Sequence, residues 1–392
     1  MFISIQDKLV YMKFSQEIIN EYARKYFPRA LKLNFIGSSS DFFVGRYGYP
    51  NVFVGILAPP EHNSEADKLS MPEHWFRNKF TSDDILMNRS KLIYSRTNSN
   101  IKSKGIKLIN TMQEVSMAKN SVDVEFILKK QPRLTIKLDK YVPPIGNPAP
   151  LLKAEIQDNV KVDRKIDHFI SDYDLKSQDA LVELHERNID VSYMIRLISA
   201  GLLGIKTQRK LVPTRWSVTA VDSQISNNII TRVKQYSWIN DFQVYYSEYL
   251  GNHFEILLLP KEFGFEVIET LSVNPKNQHW HDYESYFKRK RYADSVTGFY
   301  YAGRLACVEY LENIRKQASV VIFRTIKPSY NLPLGVGILR ETARDAFKHK
   351  VRRFDNLNDA LKDIKLRVNT DKLLENSYLI KHYREQLRLT NF

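Results

Sequence analysis

The pattern of apolar and polar positions along the chain predicts helices and strands mixed in no strict alternation. Ile18, Ile19 and Tyr22 recur at helical spacing, so a first helix is expected from a Ser15 cap to about Phe27, stopped by Pro28. A strand over Leu31 to Ile36 leads into the small-residue turn Gly37-Ser38-Ser39-Ser40, and Phe42 to Pro50, with two glycines and a proline, reads as loop. Val52 to Leu57 has strand character and is closed by Pro59-Pro60. Helices are expected over Thr81 to Tyr94 and Gly105 to Ala118. Strands are expected over Val122 to Lys129 and Leu134 to Leu138, joined near Gln131-Pro132.

Tyr141 to Pro150 carries four prolines. It reads either as a linker or as a rigid segment crossing one domain, because Leu151 to Ile156 again looks like strand. Two helices follow at Gln178 to Arg187 and Val191 to Leu203, with Ser177 and Asp190 as their caps. They share the spacing of a helix-turn-helix with ordinary helical hairpins. Gln243 to Leu250 and His253 to Leu259 form a predicted hairpin around Gly251-Asn252, with Phe265 to Val273 as a third antiparallel strand. Beyond these come a helix over Tyr301 to Gln317, a strand over Ser319 to Ile326, and helices at Arg340 to Lys348, Leu357 to Lys365 and Asp371 to Leu387. The expected class is α+β, an irregular mixed architecture with a large N-terminal sheet-and-helix region and a smaller, mainly helical C-terminal region.

Composition narrows the function classes. The 392 residues are 43% hydrophobic and 12% aromatic, enough for a sizeable core. The single cysteine, Cys307, excludes an intramolecular disulfide and a Cys-rich zinc module. No signal peptide or membrane-spanning run is recognised, so a soluble, cytoplasmic protein with no membrane partner is expected. Lys and Arg total 59 against 44 Asp and Glu, a formal charge of +15 that favours polyanionic partners, DNA foremost.

Four internal segments carry candidate chemistry. Gly37 to Ser40 followed by Arg46-Tyr47-Gly48-Tyr49-Pro50 can cradle a phosphate, with Ser38, Ser39 and Ser40 offering hydroxyls and Arg46 a guanidinium fork. It lacks the Gly-Lys-Ser/Thr ending of a Walker loop, and an ordinary tight connection would look the same. In the second, Thr214 or Ser217 opens a helix that carries Asp222. Arg215 suits an anion at that helix start, and Trp216 either stacks on a base or fills the core. Asp222 is either a general base or metal ligand or a structural ion-pair partner. The third, His279-Trp280-His281-Asp282 with Glu284, is too incomplete for a metal site, and none is assigned. The fourth alternates Arg304, Arg324, Arg340 and Glu341 with aromatics and glycines. It reads either as a groove for nucleic acid or as a core with surface ion pairs such as Glu341 with Arg344.

The C-terminus ends in Gln386-Leu387-Arg388-Leu389-Thr390-Asn391-Phe392. One helical or 3₁₀ turn would put Leu389 and Phe392 on one side as a two-pronged apolar plug, with the Gln386 amide filling a polar pocket. That spacing predicts docking to a DNA sliding clamp (PCNA). The usual clamp-binding peptide ends in two aromatics. This one has only Phe392, which predicts weaker affinity.

Several runs resemble the archaeal Nre DNA-repair proteins. They are Phe35 to Ser40 with Val44 to Val52, Leu211 to Ser217, Gly298 to Ala302 with Arg304-Leu305-Ala306, and Pro333 to Val336 with Arg340-Glu341. The resemblance implies DNA-damage repair and clamp binding through the C-terminal peptide. It also implies a long N-terminal region and a shorter C-terminal one divided near Asn274 to Asn277, giving residues 1–275, 276–380 and a tail 381–392. Some members carry an N-terminal Cys-rich zinc module. This chain has no cysteines there, so no metal is carried over, and neither a cofactor nor a chemical activity follows. Two classes stay open: a clamp-tethered DNA-binding factor, or a repair enzyme (nuclease, glycosylase, or nucleotidyl or ADP-ribosyl transferase). For an enzyme, Arg46, Arg215, Asp222 and Glu341 are the catalytic candidates, and Arg46 and Arg215 would have to share one pocket.

Overall fold

The strand segments assemble into two six-stranded sheets in a computed structural model that describes residues 16–27, 31–39, 41–103, 105–272, 279–368, 374 and 376–389. The class is α+β, as the mixed pattern predicts. Packing divides the chain into two units, one running to Ile225 and including Leu332–Ile338, the other built from Ser226–Asn331 and the residues from Leu339 onward. No helix among the described residues is long and apolar enough to cross a membrane.

In the first unit, β1 (Asn34–Ser39), β2 (Asp41–Val44), β3 (Asn51–Ala58), β4 (Ile93–Asn100), β5 (Val122–Leu128) and β6 (Asn147–Ile156) lie in the order β1-β5-β6-β4-β3-β2. Every neighbouring pair is antiparallel except β4 with β6. β5 shows the alternation that makes such a strand: Val122, Val124, Phe126 and Leu128 are buried while the residues between them are partly exposed. Helices α1 (Gln16–Tyr26), α2 (Pro72–Arg77), α3 (Ser82–Ser90), α4 (Lys107–Met117), α5 (Arg164–Ser171), α6 (Ser177–Glu186) and α7 (Val191–Ser199) surround it. α4 turns Ile109, Met112 and Val115 onto the sheet. Thr81 and Asp84 form a reciprocal capping box that starts α3, an arrangement worth about 1 kcal/mol.

Three local expectations are corrected here. Gly37, Ser38 and Ser39 belong to β1 and are not a turn. A Cβ on Gly37 would fall 2.2 Å from the Pro59 carbonyl oxygen, so the glycine marks a close crossing of two backbones. The helix from Thr81 ends at Ser90, and Ile93 and Tyr94 open β4. Leu134 to Leu138 is not a strand; only an isolated bridge joins Lys137 to Ile145. The proline-rich stretch proves to be the rigid alternative. Pro148 and Pro150 lie in β6 opposite Tyr94 and Arg96 of β4.

The second unit holds β7 (Phe242–Tyr249), β8 (Asn252–Leu259), β9 (Gly264–Leu271), β10 (His279–Glu284), β11 (Ser319–Ile326) and β12 (Arg352–Phe354), in the order β10-β9-β11-β8-β7-β12. Helix α8 (Thr214–Val233) enters this unit from the first, followed by α9 (Gly298–Asn313), α10 (Val336–Ala346), α11 (Leu357–Lys365) and α12 (Tyr378–Leu389). Both faces of the sheet are covered. Leu357, Leu361 and Ile364 of α11 pack against Val244, Leu257 and Phe323, and α9 sets Phe299 against Phe254 and Tyr300 against Phe265. All eight residues of β8 and all eight of β9 are therefore buried. The expected third antiparallel strand is corrected: β11 lies between β8 and β9 and pairs parallel with β9. Because β10 and β11 bond to β9 and β8, a cut near Asn274 to Asn277 passes through this sheet. The packing division falls at Ile225/Ser226, within α8.

Candidate nucleic-acid interface

One hydrogen bond brings the two halves of the first unit's site together. The Val44 N–H at the end of β2 donates to Thr214 Oγ1 at the start of α8, 3.0 Å away and 170 residues on. Arg46 and Tyr47 project from the turn after β2, which the Gly45 N–H closes onto the Phe53 carbonyl. Arg215 is the second residue of α8. Together with Arg96 of β4 and Lys137 of the segment before β6, they line a cavity of about 540 Å³, a size that accommodates a small ligand or one nucleotide unit. Phe43, Tyr47, Phe53 and Tyr94 supply its aromatic walls. A Cβ on Gly55 would lie 2.2 Å from the Ser95 carbonyl oxygen and 2.7 Å from Arg96 Cα, so β3 and β4 approach here only with glycine.

Three of the four cations lie over aromatic rings, and Arg215 also meets an acid. The Arg46 guanidinium lies 4.5 Å from the Tyr47 ring centroid and donates to Tyr47 Oη at 3.0 Å. Arg96 lies 4.1 Å over Phe53 and 5.5 Å over Tyr94. Arg215 lies 3.9 Å over Tyr141 and donates from Nη1 to Asp139 Oδ2 at 3.0 Å. Among the described residues, Arg46, Arg96 and Lys137 pair with no carboxylate. Among the described residues, the lining thus holds four cations and one carboxylate, a surplus of three positive charges in a concave site. Burial pushes the Tyr94 phenol well above its ordinary range. It stays protonated and shares its hydrogen bond between the Phe43 and Phe53 carbonyls, fixing the β2–β3 wall. Trp216 stands beside Arg215, 44% exposed, its ring 5.1 Å from that of Tyr49.

Of the described residues singled out from sequence, Arg46, Tyr47 and Arg215 line this cavity, and Ser38, Ser39, Trp216, Asp222, Arg304, Arg340 and Glu341 do not. Ser38 and Ser39 are buried. Ser38 donates to Asp123 and accepts from the Asn63 N–H; Ser39 donates to the Leu57 carbonyl at 2.6 Å. Their hydroxyls are committed to the fold, which corrects the phosphate-cradle expectation for them, and Ser40 lies outside the described residues. Asp222 is fully buried within α8. Arg304 and Arg340 are not surface groups: both are buried. Arg304 donates to both oxygens of Glu284, at 3.0 and 3.1 Å, and to Ser226 and Asn227. Arg324 is likewise buried against Glu269 and Asn252. Glu341 accepts from Arg344 at 2.7 Å, the ion-pair alternative. His279 to Glu284 form β10, where His281 bonds Glu266 and Asp282 accepts from Arg289 and the Val296 N–H. Gln386 and Leu389 fall within α12, and Phe392 lies outside the described residues.

Arg96, Lys137 and Asp139 escaped the sequence reading. Ser95 to Asn100 carries only polar residues, so the alternation that announces a strand is missing. Lys137 and Asp139 sit in an irregular segment. The only signal was Arg96 itself, a cation amid small polar residues opposite Gly55.

Comparison with known proteins covers nearly the whole chain. Residues 18–276 match the family described as "Archaeal Nre, N-terminal" and residues 284–392 the family described as "Archaeal Nre, C-terminal". The chain is 34% identical over 366 residues to a protein named DNA repair protein NreB from Archaeoglobus fulgidus, spanning 91% of this chain and 92% of that one. It is 31% identical to a DNA repair protein NreA from Haloferax volcanii, over 84% and 81% of the two chains, and 32% identical to an NreA from Archaeoglobus fulgidus, over 84% of each. No solved structure matches it. With the two matches running in order from residue 18 to the last residue, this chain belongs to the archaeal Nre family.

Proposed function

We propose that this chain is a DNA-repair protein that grips nucleic-acid phosphate in the cavity lined by Arg46, Arg96, Lys137 and Arg215 and reaches DNA through a sliding clamp. The observation that carries the reading is the surplus of three positive charges in one concave, aromatic-walled site. Guanidinium groups held over rings are oriented in advance and donate to phosphate oxygens. The exposed rings of Tyr47 and Trp216 offer flat faces for bases beside them. The names of the relatives support the repair role. For the clamp, the support is the Gln386-x-x-Leu389-x-x-Phe392 spacing, whose first two positions lie within α12.

The test is a titration of labelled oligonucleotides with the unaltered chain and with an Arg46→Ala/Arg96→Ala double variant. For every phosphate deprived of its cation, the dependence of log affinity on log salt should flatten by about 0.7 to 0.9. A double variant that keeps its fold, its affinity and its salt slope would show that phosphate binds elsewhere.

A further inference from the structure

The basic run Lys288-Arg289-Lys290-Arg291 takes no part in the cavity and belongs to the second unit. It is flanked by rings: Tyr286 and Phe287 before it, Tyr292 after it. Phe287 is 80% exposed, its ring edge-on to Tyr286, and Tyr292 is 54% exposed, its ring 5.0 Å from that of Tyr301.

The segment is nonetheless held in shape, and Arg289 holds it. Its Nε donates to the Arg291 carbonyl at 2.8 Å. Its Nη1 donates to the Tyr283 carbonyl at 3.3 Å. Its Nη2 donates to the Tyr292 carbonyl at 3.2 Å and to Asp282 Oδ1 at 3.0 Å. The guanidinium also lies 5.0 Å from the Tyr300 ring centroid. On the other side, Lys234 donates to the Tyr286 carbonyl and lies 4.4 Å over the Tyr286 ring. One arginine of the run is thus turned inward as a clasp, and Lys288, Lys290 and Arg291 are left exposed. Among the described residues none of these three pairs with a carboxylate. Asp282 is taken by Arg289 and Glu284 by Arg304.

We infer that residues 286–292 form a second nucleic-acid contact, selective for single strands, in which Phe287 stacks on an unpaired base and Lys288, Lys290 and Arg291 meet the backbone phosphates. Charge complementarity names the polyanion, and the protruding ring selects the single strand, because bases inside a duplex have no free face to offer. The contact is separate from the cavity of the first unit and stands or falls without it.

The experiment uses the full chain and a fluorescein-labelled oligothymidylate, with a duplex and phosphatidylserine vesicles as further arms. Phe287→Ala should weaken oligothymidylate binding on the order of tenfold, leaving duplex binding and the salt slope unchanged. Replacing Lys288, Lys290 and Arg291 together by Gln should flatten the single-strand salt slope by about 2. Circular dichroism and thermal melting establish that both variants are folded; neither removes the Arg289 clasp. Wild-type-like binding by both folded variants overturns the proposal, as does an unaltered chain that fails to bind oligothymidylate. A Phe287 effect confined to the vesicles overturns it in favour of a membrane surface. If Arg96→Ala removes single-strand binding and Phe287→Ala does not, the cavity reading survives and this one fails.

Discussion

Replacing Asp139 by Asn should strengthen binding of phosphate, an outcome opposite in sign to removal of a cation. Among the described residues, Asp139 is the one carboxylate of the cavity lining, and it holds Arg215 at 3.0 Å. Its other oxygen accepts from the Tyr141 N–H at 2.7 Å. In the Asn variant the carbonyl oxygen keeps the Tyr141 bond, which turns the amide NH₂ toward Arg215, donor facing donor. Arg215 is released and the surplus rises from three charges to four. For a phosphate seated roughly 7 Å away, the removed repulsion is about 2.4 kcal/mol at an effective dielectric of about 20, and salt at physiological strength reduces it to about 1 kcal/mol, roughly fivefold in affinity. The ion pair given up is about one-fifth exposed on each side, so the stability cost is about 1 kcal/mol or less. Fluorescence anisotropy with a short oligonucleotide across a salt series measures both quantities: affinity should rise and the salt slope steepen by about 0.7 to 0.9. Weaker binding by a variant with an unchanged melting temperature would refute the reasoning, since it would mean that Asp139 serves the ligand directly or that phosphate never enters the cavity.

Three further outcomes follow from other parts of the molecule. Arg304→Ala strands the fully enclosed Glu284 carboxylate and should cost about 3 to 5 kcal/mol in urea unfolding, with any loss of DNA binding tracking the unfolded fraction. Deleting Gln386 to Phe392 should abolish clamp binding in a calorimetric titration and leave the melting temperature unchanged; retained affinity would remove the tail from the mechanism. Hydrogen bonds from Lys107 and then Lys153 hold the Glu155 carboxyl down at about 2. A depressed carboxyl stabilises the fold above its unfolded value near 4.3 and loses that contribution as pH falls toward 2. Glu155→Gln should therefore lower the melting temperature slightly at pH 7, with the difference from the unaltered chain shrinking as pH falls through about 2.

Local pattern was sufficient for several elements. The strand Ser319–Ile326 and the helix Leu357–Lys365 lie where their apolar periodicity puts them, and the β7–β8 hairpin turns where Gly251 allows it. Their signals are short-range: an unbroken buried run, a 3.6-residue stripe, a residue free to take positive φ. The insertion of β11 between β8 and β9 carries no such signal, because either strand order buries the same apolar residues. The candidate site divides in the same way. Unusual composition pointed to Arg46 and Arg215, and the Val44–Thr214 hydrogen bond put them in one cavity. The fates of the other arginines were decided at long range. Arg304 and Arg324 look in sequence like groove cations, but Glu284 and Glu269 reach them from other strands and bury them. Arg96 looks like nothing in particular and ends over Phe53, with no acid beside it among the described residues. Sequence alone determined the fold class, most of the elements and the excess of positive charge. Only the tertiary structure decided which of those charges is neutralised, because a guanidinium is available to a ligand only where the packing brings it no carboxylate.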